Sequence, residues 1–346
     1  MGLLSGVNGF FGLDIGAKSI RVVQLKENGK QKELIKYAYI PVDPKISLSD
    51  LPADQAKLMK IVSDLIAQAK LTTKNVAVGI PSQRVFTAVA DIDRVPADEL
   101  AKAIKFQADA FIPTAVADSK IDWALLGDSP ADKTKQEILL SSIPNSYVES
   151  RLDMLESIGL NVIAFEPNNL AMARALVPED STLPQLVIDI GSQSTDLVIT
   201  LGGMPHLTRS IPTGVDAIVR SAMQNLNIDE KQAAQFVFKF GMSKDKLEGQ
   251  VYQSINSTVD SLVHEIDKSI KYFQARYTGV KLDRMIVSGG ASVIPELPLY
   301  LANKSGLNVE IGNAWRNVTF DRDRQNELLA ISNQFSVAVG LAERHE

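Results

Sequence analysis

Two aspartates stand where packing alone does not place them. Asp14 lies inside the apolar run Phe10, Phe11, Leu13 and Ile15, and Asp189 lies inside Leu186–Ile190. A carboxylate in a buried strand is costly unless something pairs with it. Each is followed by Ile-Gly, a short turn and a second apolar strand: FFGLDIGAKSIRVVQLK near the start, LVIDIGSQSTDLVITL further on. Asp-Ile-Gly thus recurs after 175 residues (189 − 14). The turn from Gly16 through Ala17 and Lys18 to Ser19 makes a tight hairpin whose backbone N–H groups can face an anion. Gly191, Ser192, Gln193, Ser194 and Thr195 repeat the arrangement with added hydroxyls. An aspartate beside such a turn suits a phosphate held with magnesium, which favours one or two carboxylates plus phosphate oxygens. A single copy reads equally well as an amphipathic hairpin with a turn glycine. Two copies can face each other across one nucleotide.

The elements that must position these turns repeat as well. Strands are expected at Phe10–Ile15, Ser19–Leu25 and Glu33–Pro41, then a helix from Ala53 to Ala69 and a buried strand at Asn75–Ile80. The second copy gives strands at Leu186–Ile190, Asp196–Leu201 and His206–Ile211, a helix from Val215 to Leu226, and a closing strand at Arg284–Val287. Two runs of β-β-β-α-β, each opening on Asp-Ile-Gly, point to a duplicated α/β fold of two lobes. One lobe comprises residues 1–81 and 166–185 with the tail 328–346; the other comprises 186–226 and 279–327. Each carries an insertion. Residues 82–165 follow a β-α-β-β-α-β order, the ferredoxin-like plan. Residues 227–278 read as helices only, the longest from Gln250 to Tyr277 with a core-packing stripe from Val251 to Phe273. The tail from Leu328 to Glu343 reads as one helix.

Composition narrows the function. A chain of 346 residues with 45% hydrophobic and 22% charged residues is an ordinary globular protein with room for two lobes. The net charge of −5, without a dense Lys/Arg tract, argues against nucleic acid and against a polybasic membrane patch. No cysteine is present, so thiolate metal sites and thiol nucleophiles are excluded. The three histidines, His206, His264 and His345, form no ligand pair and read as packing or surface residues. No apolar run approaches the ~20 residues needed to span a bilayer. Neither a signal peptide nor a myristoylation signal is expected at Met1-Gly2, where Gly6 replaces Ser or Thr, and no amphipathic anchor is expected at the other end. The expectation is a cytoplasmic chain reaching the membrane only through partners.

The duplicated fold with aspartate hairpins resembles the actin, Hsp70 and sugar-kinase superfamily, with its RNase H-like lobes. More narrowly it resembles the PilM family of type IV pilus assembly, relatives of FtsA. The resemblance runs essentially end to end and rests on GLDIGAKSIRVVQL, VIDIGSQSTDLVI, MIVSGGASVIPELPLYL, the middle stretch VPADELAKAIKFQADAFIPTAVADSKIDWALL and the closing FSVAVGLAER. It implies an ATP–magnesium site with Asp14 and Asp189 holding the metal through water. Gly16, Ala17, Lys18, Ser19, Arg21, Gly191, Ser192, Gln193, Ser194, Thr195, Gly214 and Lys231 would contact the nucleotide. Ser288, Gly289, Gly290 and Ala291 form the matching adenosine turn, where lack of a Cβ at the glycines admits the ligand. Arg21 reads either as a phosphate contact or as a surface cation on an edge strand. Glu166, in a Glu-Pro step, reads either as a carboxylate orienting water or as a partner of the helix dipole that follows.

One departure bears on affinity. Family members carry an Ala-Glu pair and then a lysine against ribose and adenine; counted back from Gly241 in EKQAAQFVFKFG, these positions hold Ala234 and Val237. Glu230, Lys231 or Lys239 would have to compensate in a shifted register. Without that compensation the phosphate grip is intact and nucleotide affinity is weakened or lost.

The resemblance further implies a scaffold of the inner-membrane pilus platform that captures the N-terminal tail of PilN in a groove between the first lobe and the 82–165 insertion. Helix 97–111 and strand 120–126 would wall it, with Phe106, Phe111 and Trp123 as peptide contacts or as core of the insertion. Two alternatives share the fold: a self-associating FtsA-like filament protein, and a small-molecule kinase, for which no general-base aspartate is in place. ATP turnover, if present, is expected to be slow.

Overall fold

The computed structural model describes residues 9–29, 31–178 and 181–344. Expectations placed on Met1, Gly2, Gly6 and His345 lie outside the described residues.

The chain opens with β1 (Phe11–Ile15), β2 (Ser19–Asn28) and β3 (Gln31–Pro41), then a single turn α1 (Pro44–Ser47), the helix α2 (Pro52–Ala69) and β4 (Asn75–Ile80). β1 runs antiparallel to β2 and parallel to β4, and β2 is antiparallel to β3. Phe11, Leu13, Ile20 and Val22 alternate onto the face covered by Leu58, Val62 and Leu65 of α2. Asp14 sits between Leu13 and Ile15 in β1, with Arg21 as its register partner.

An insertion follows: β5 (Phe86–Asp93), α3 (Ala97–Gln107), β6 (Ser119–Asp128) and β7 (Lys135–Pro144) form a three-stranded sheet in the order β5-β7-β6. Ile92, Leu100, Ile104, Ile138 and Leu140 make its core. Next come α4 (Asn145–Ser157), β8 (Asn161–Pro167) and α5 (Asn168–Leu176). The β-α-β-β-α-β order is as expected, but a four-stranded ferredoxin-like sheet does not form. β8 leaves the insertion and pairs parallel to β4 in the first-lobe sheet. Leu155 and Leu160, with Met154, Ile158 and Phe165, pack into the first-lobe core. α4 is therefore the crossover helix of a β4-α4-β8 unit, and the inserted sheet ends at Pro144.

The second lobe repeats the pattern with β9 (Gln185–Ile190), β10 (Thr195–Leu201), β11 (Met204–Ile211), α6 (Val215–Leu226), the inserted helices α7 (Glu230–Phe240) and α8 (Gln250–Arg276), then β12 (Arg284–Ser288), α9 (Leu297–Ser305) and β13 (Asn308–Ile311). Its sheet order is β11-β10-β9-β12-β13, the counterpart of β3-β2-β1-β4-β8. The stripe from Val251 to Phe273 on α8 is buried in the core, as expected.

The remaining elements are β14 (Val318–Thr319), α10 (Gln325–Ile331) and α11 (Ser336–Ala342). β14 pairs with β3, so the chain is back in the first lobe before residue 327. The tail is two helices, not one. The break holds Asn333, whose carbonyl accepts from the Gly289 N–H at 2.7 Å and the Ser288 hydroxyl at 2.9 Å, while its side-chain amide donates to the Gly289 carbonyl at 3.0 Å. A continuous helix would keep that backbone for itself.

The insertion rests on the second lobe. Buried Glu137 accepts from Arg276 Nε at 2.7 Å and from the Tyr277 hydroxyl at 2.8 Å, and Arg276 also reaches Asp91 at 2.7 Å. His206 packs edge-on against Tyr277, the packing role expected of it, and His264 is exposed.

Candidate functional site

The two hairpin turns have the same internal geometry. Gly16 N–H donates to the Ser19 carbonyl at 3.0 Å, and Gly191 N–H to the Ser194 carbonyl at 2.9 Å. These glycine N–H groups are thus engaged within their turns. Ala17, Lys18, Ser192, Gln193 and Ser194 line the cleft between the lobes, with Asp14 and Asp189 beside them. The cleft has a volume of about 700 Å³.

Asp14 is buried and Asp189 partly buried among strand residues, and their surroundings differ. Asp14 Oδ2 accepts from Arg21 Nη1 at 3.0 Å. Arg21 is on an interior strand with only 16% of its side chain exposed, so it is a partner of Asp14 and not a cation on a sheet edge. Burial raises the pKa of Asp14 and the Arg21 guanidinium partly offsets it. Across the second hairpin the register partner of Asp189 is Asp196. Burial pushes Asp189 up to about 7, and the carboxylates of Asp196 and Asp14 add to the rise against a lowering pull from Arg21. Asp196 is raised by burial as well, offset by hydroxyls donated from Ser210 at 2.6 Å and Ser82 at 2.7 Å. Asp196 and Ser82, not singled out by sequence, both line the cleft. The signal for Asp196 was its place seven residues after Asp189 (196 − 189), where the first copy has Arg21 (21 − 14).

Other expected residues divide into those the cleft collects and those it does not. Ser19, Arg21, Gly289 and Gly290 line it. Gly289 has a φ of +86°, and a Cβ there would run into the Asp189 carboxylate and the Ile190 carbonyl. Gly214 lies behind the second turn, where a Cβ would strike the Gly191 and Ser192 carbonyls; its place lets α6 begin under that turn, with Val215 N–H on Gly191 O at 2.9 Å. Thr195 donates its hydroxyl to Thr213 O at 2.7 Å and does not line the cleft. The Ser288 hydroxyl is taken by Asn333, and Ala291 is in the second-lobe core. Lys231 is exposed on α7 and does not reach the cleft. Glu166 is withdrawn into an ion cluster, with Arg174 Nη2 at 2.5 Å and Arg344 Nη1 at 3.1 Å. In that pairing Glu166 is buried and does not line the cleft. Lys18 crosses the cleft to Asp216 at 2.5 Å.

The donor set fits magnesium with a nucleotide phosphate. Asp14, Asp189 and Asp196 face one cleft against a single bound guanidinium, an excess of hard anionic oxygens in a desolvated place. Among the described residues no three acidic or histidine side chains converge closely enough to hold an ion alone. Phosphate oxygens and water would have to complete its shell.

A second arm of the same cavity lies between α2 and α4. It is lined by Leu48, Met59, Arg84, Tyr147, Arg151 and Phe165. The guanidinium of Arg84 stands 5.5 Å and that of Arg151 5.3 Å from the Tyr147 ring centroid. Arg151 Nη1 and Asn168 Oδ1, both in lining residues, are buried without a hydrogen-bond partner. The walls expected from the insertion do not line this cavity: Phe106 is 91% exposed, and Phe111 and Trp123 pack against the insertion's own core.

The family profile for the type IV pilus assembly protein PilM matches residues 12–346. The chain belongs to the PilM family of type IV pilus assembly proteins. Among solved structures, a chain of a PilM–PilN type IV pilus biogenesis complex is similar, with a TM-score of 0.81 and 23% identity, covering 96% of this chain and 97% of that one. MreB5 of Spiroplasma citri bound to ADP matches with a TM-score of 0.56 and 14% identity over 96% of this chain and 94% of that one. The ethanolamine utilization protein EutJ from Carboxydothermus hydrogenoformans matches at 0.57 and 14% identity, over 96% and 88%. At these identities the structures establish the actin-like fold. Among the described residues no helix is long and apolar enough to cross a membrane.

Proposed function

We propose that this PilM-family chain is a magnesium–nucleotide-binding scaffold that captures the short N-terminal tail of a PilN-type membrane protein and is held at the membrane by it. The observation that carries this reading is one cavity with two chemically distinct arms. The arm between the hairpins is anionic and set for a metal-bound phosphate. Bound magnesium would supply neutralising charge to the phosphates, while Ala17, Lys18, Ser192 and Ser194 position them. Turnover in such an arm is slow, because Arg21 is committed to Asp14 and the other lining guanidiniums among the described residues, Arg84 and Arg151, stand over Tyr147.

The arm between α2 and α4 has apolar walls and one guanidinium donor, Arg151 Nη1, left unmatched. An extended peptide carries C=O groups that match such a donor, and its side chains suit Leu48, Met59 and Phe165. The likeness to a chain of a PilM–PilN complex supports the choice of partner. The test is fluorescence anisotropy of a labelled PilN-type tail peptide on the full chain. Arg151→Ala with Tyr147→Ala is expected to weaken binding by at least about tenfold, the scale of one lost charge-assisted hydrogen bond. Unchanged binding of the double variant would remove this arm as the docking site.

A further inference from the structure

Helix α7 is where polar contacts to ribose and base were expected. It does not present the expected positions to the cleft. Ala233 and Val237 are fully buried in the second-lobe core, and Ala234, Phe236 and Phe240 pack against that core. Phe236 and Phe240, four apart on one face, meet edge to face with centroids 5.8 Å apart. Phe238 points the other way. It lines the cleft together with Val215, Gly290 and Gln334, and 42% of it is exposed. Among the described residues it is the one aromatic side chain that the second lobe gives to the cleft, and no ring or cation packs on it.

We infer that Phe238 is the base-binding surface of this chain, holding a purine by stacking in place of hydrogen bonds, so that the cleft separates adenine from guanine only weakly. The inference rests on the nucleotide reading above. Every base has a π-face, so stacking tolerates a change of base, whereas a site built of matched donors and acceptors rejects the wrong one strongly. A charge at the fully buried position of Val237 would be desolvated against the core and out of reach of the cleft. Glu230, Lys231 and Lys239 of α7 do not line the cleft, so α7 brings it no cation or carboxylate to read the base edge.

The experiment displaces a fluorescent nucleotide analogue from the full chain with ATP, GTP and inorganic tripolyphosphate, magnesium present throughout. ATP and GTP are expected to bind within about threefold of each other. Phe238→Ala is expected to weaken both by about tenfold and leave tripolyphosphate unchanged, with Phe238→Trp binding as tightly as the wild type or tighter. An adenine preference above about tenfold would overturn the inference, since stacking cannot supply it. So would wild-type ATP affinity in Phe238→Ala, with thermal melting showing both variants folded. If neither nucleotide nor tripolyphosphate binds the wild type, the nucleotide reading itself falls and takes this inference with it.

Discussion

In the first hairpin the residue facing the aspartate is Arg21; in the second it is Asp196. The strands, the Ile-Gly step and the turn hydrogen bond are otherwise matched. Duplication has kept the backbone and divided the charge. Asp14 brings its own counter-ion, so the first hairpin is electrostatically near closure. Asp189 faces a second carboxylate, and the price of ionising it in that place is what lifts it to about 7. The difference says where a divalent cation is most needed: on the side of the second hairpin.

Breaking the first pair should have the largest effect. Asp14→Ala leaves Arg21 buried without a partner and is expected to cost about 3 kcal/mol of stability. Asp189→Asn at pH 8 removes a strained charge and should leave stability unchanged or raise it. Urea titrations of the two variants side by side decide it; equal losses would erase the contrast.

Proton linkage comes next. The folded Asp189 pKa of about 7 lies above its ordinary 3.8, so between these values the native state holds more protons than the unfolded one. Its contribution to stability is present below about 4 and is lost as pH rises through about 7. A cation needs the ionised form, so magnesium–nucleotide affinity should rise about tenfold from pH 6 to pH 8. Calorimetry across that range checks it, with Asp189→Asn as the flat control.

A smaller effect sharpens the comparison. Asp196→Asn removes the like charge, keeps an acceptor oxygen for one of Ser82 and Ser210 and offers its amide N–H to the other hydroxyl, and should move the midpoint of that pH profile down by about half a unit. A profile that stays in place would mean that burial alone sets Asp189. Smallest of all is Lys18→Ala. Its pair with Asp216 is half exposed on the lysine side, and equilibrium unfolding should change by no more than about 0.5 kcal/mol.

The sequence carried the repeated strand order and the paired hairpins because both are local patterns of alternation and turn chemistry. What it did not carry was decided at long range. β8 joins β4, and not the inserted sheet, because Leu155 and Leu160 belong to the first-lobe core. Glu166 is captured by Arg174 and, across the fold, by Arg344. The tail helix is broken because Asn333 serves the Ser288-Gly289 turn. The positions matching the family's glutamate and lysine, Ala234 and Val237, lie against the core, whereas Phe238, one residue and about 100° further round the helix, lines the cleft. Asp196 opens a strand in the local pattern, and only its correspondence with Arg21 of the first copy marks it as a cleft residue.

The crossover of β4, α4 and β8 also has a consequence for how this molecule can be edited. The inserted sheet is spliced into the connection leading to α4, and both strands flanking that connection belong to the first lobe. A chain in which residues 85–144 give way to a short flexible bridge retains every strand of both large sheets. Such an excision would show whether partner capture needs the inserted sheet or only the cleft.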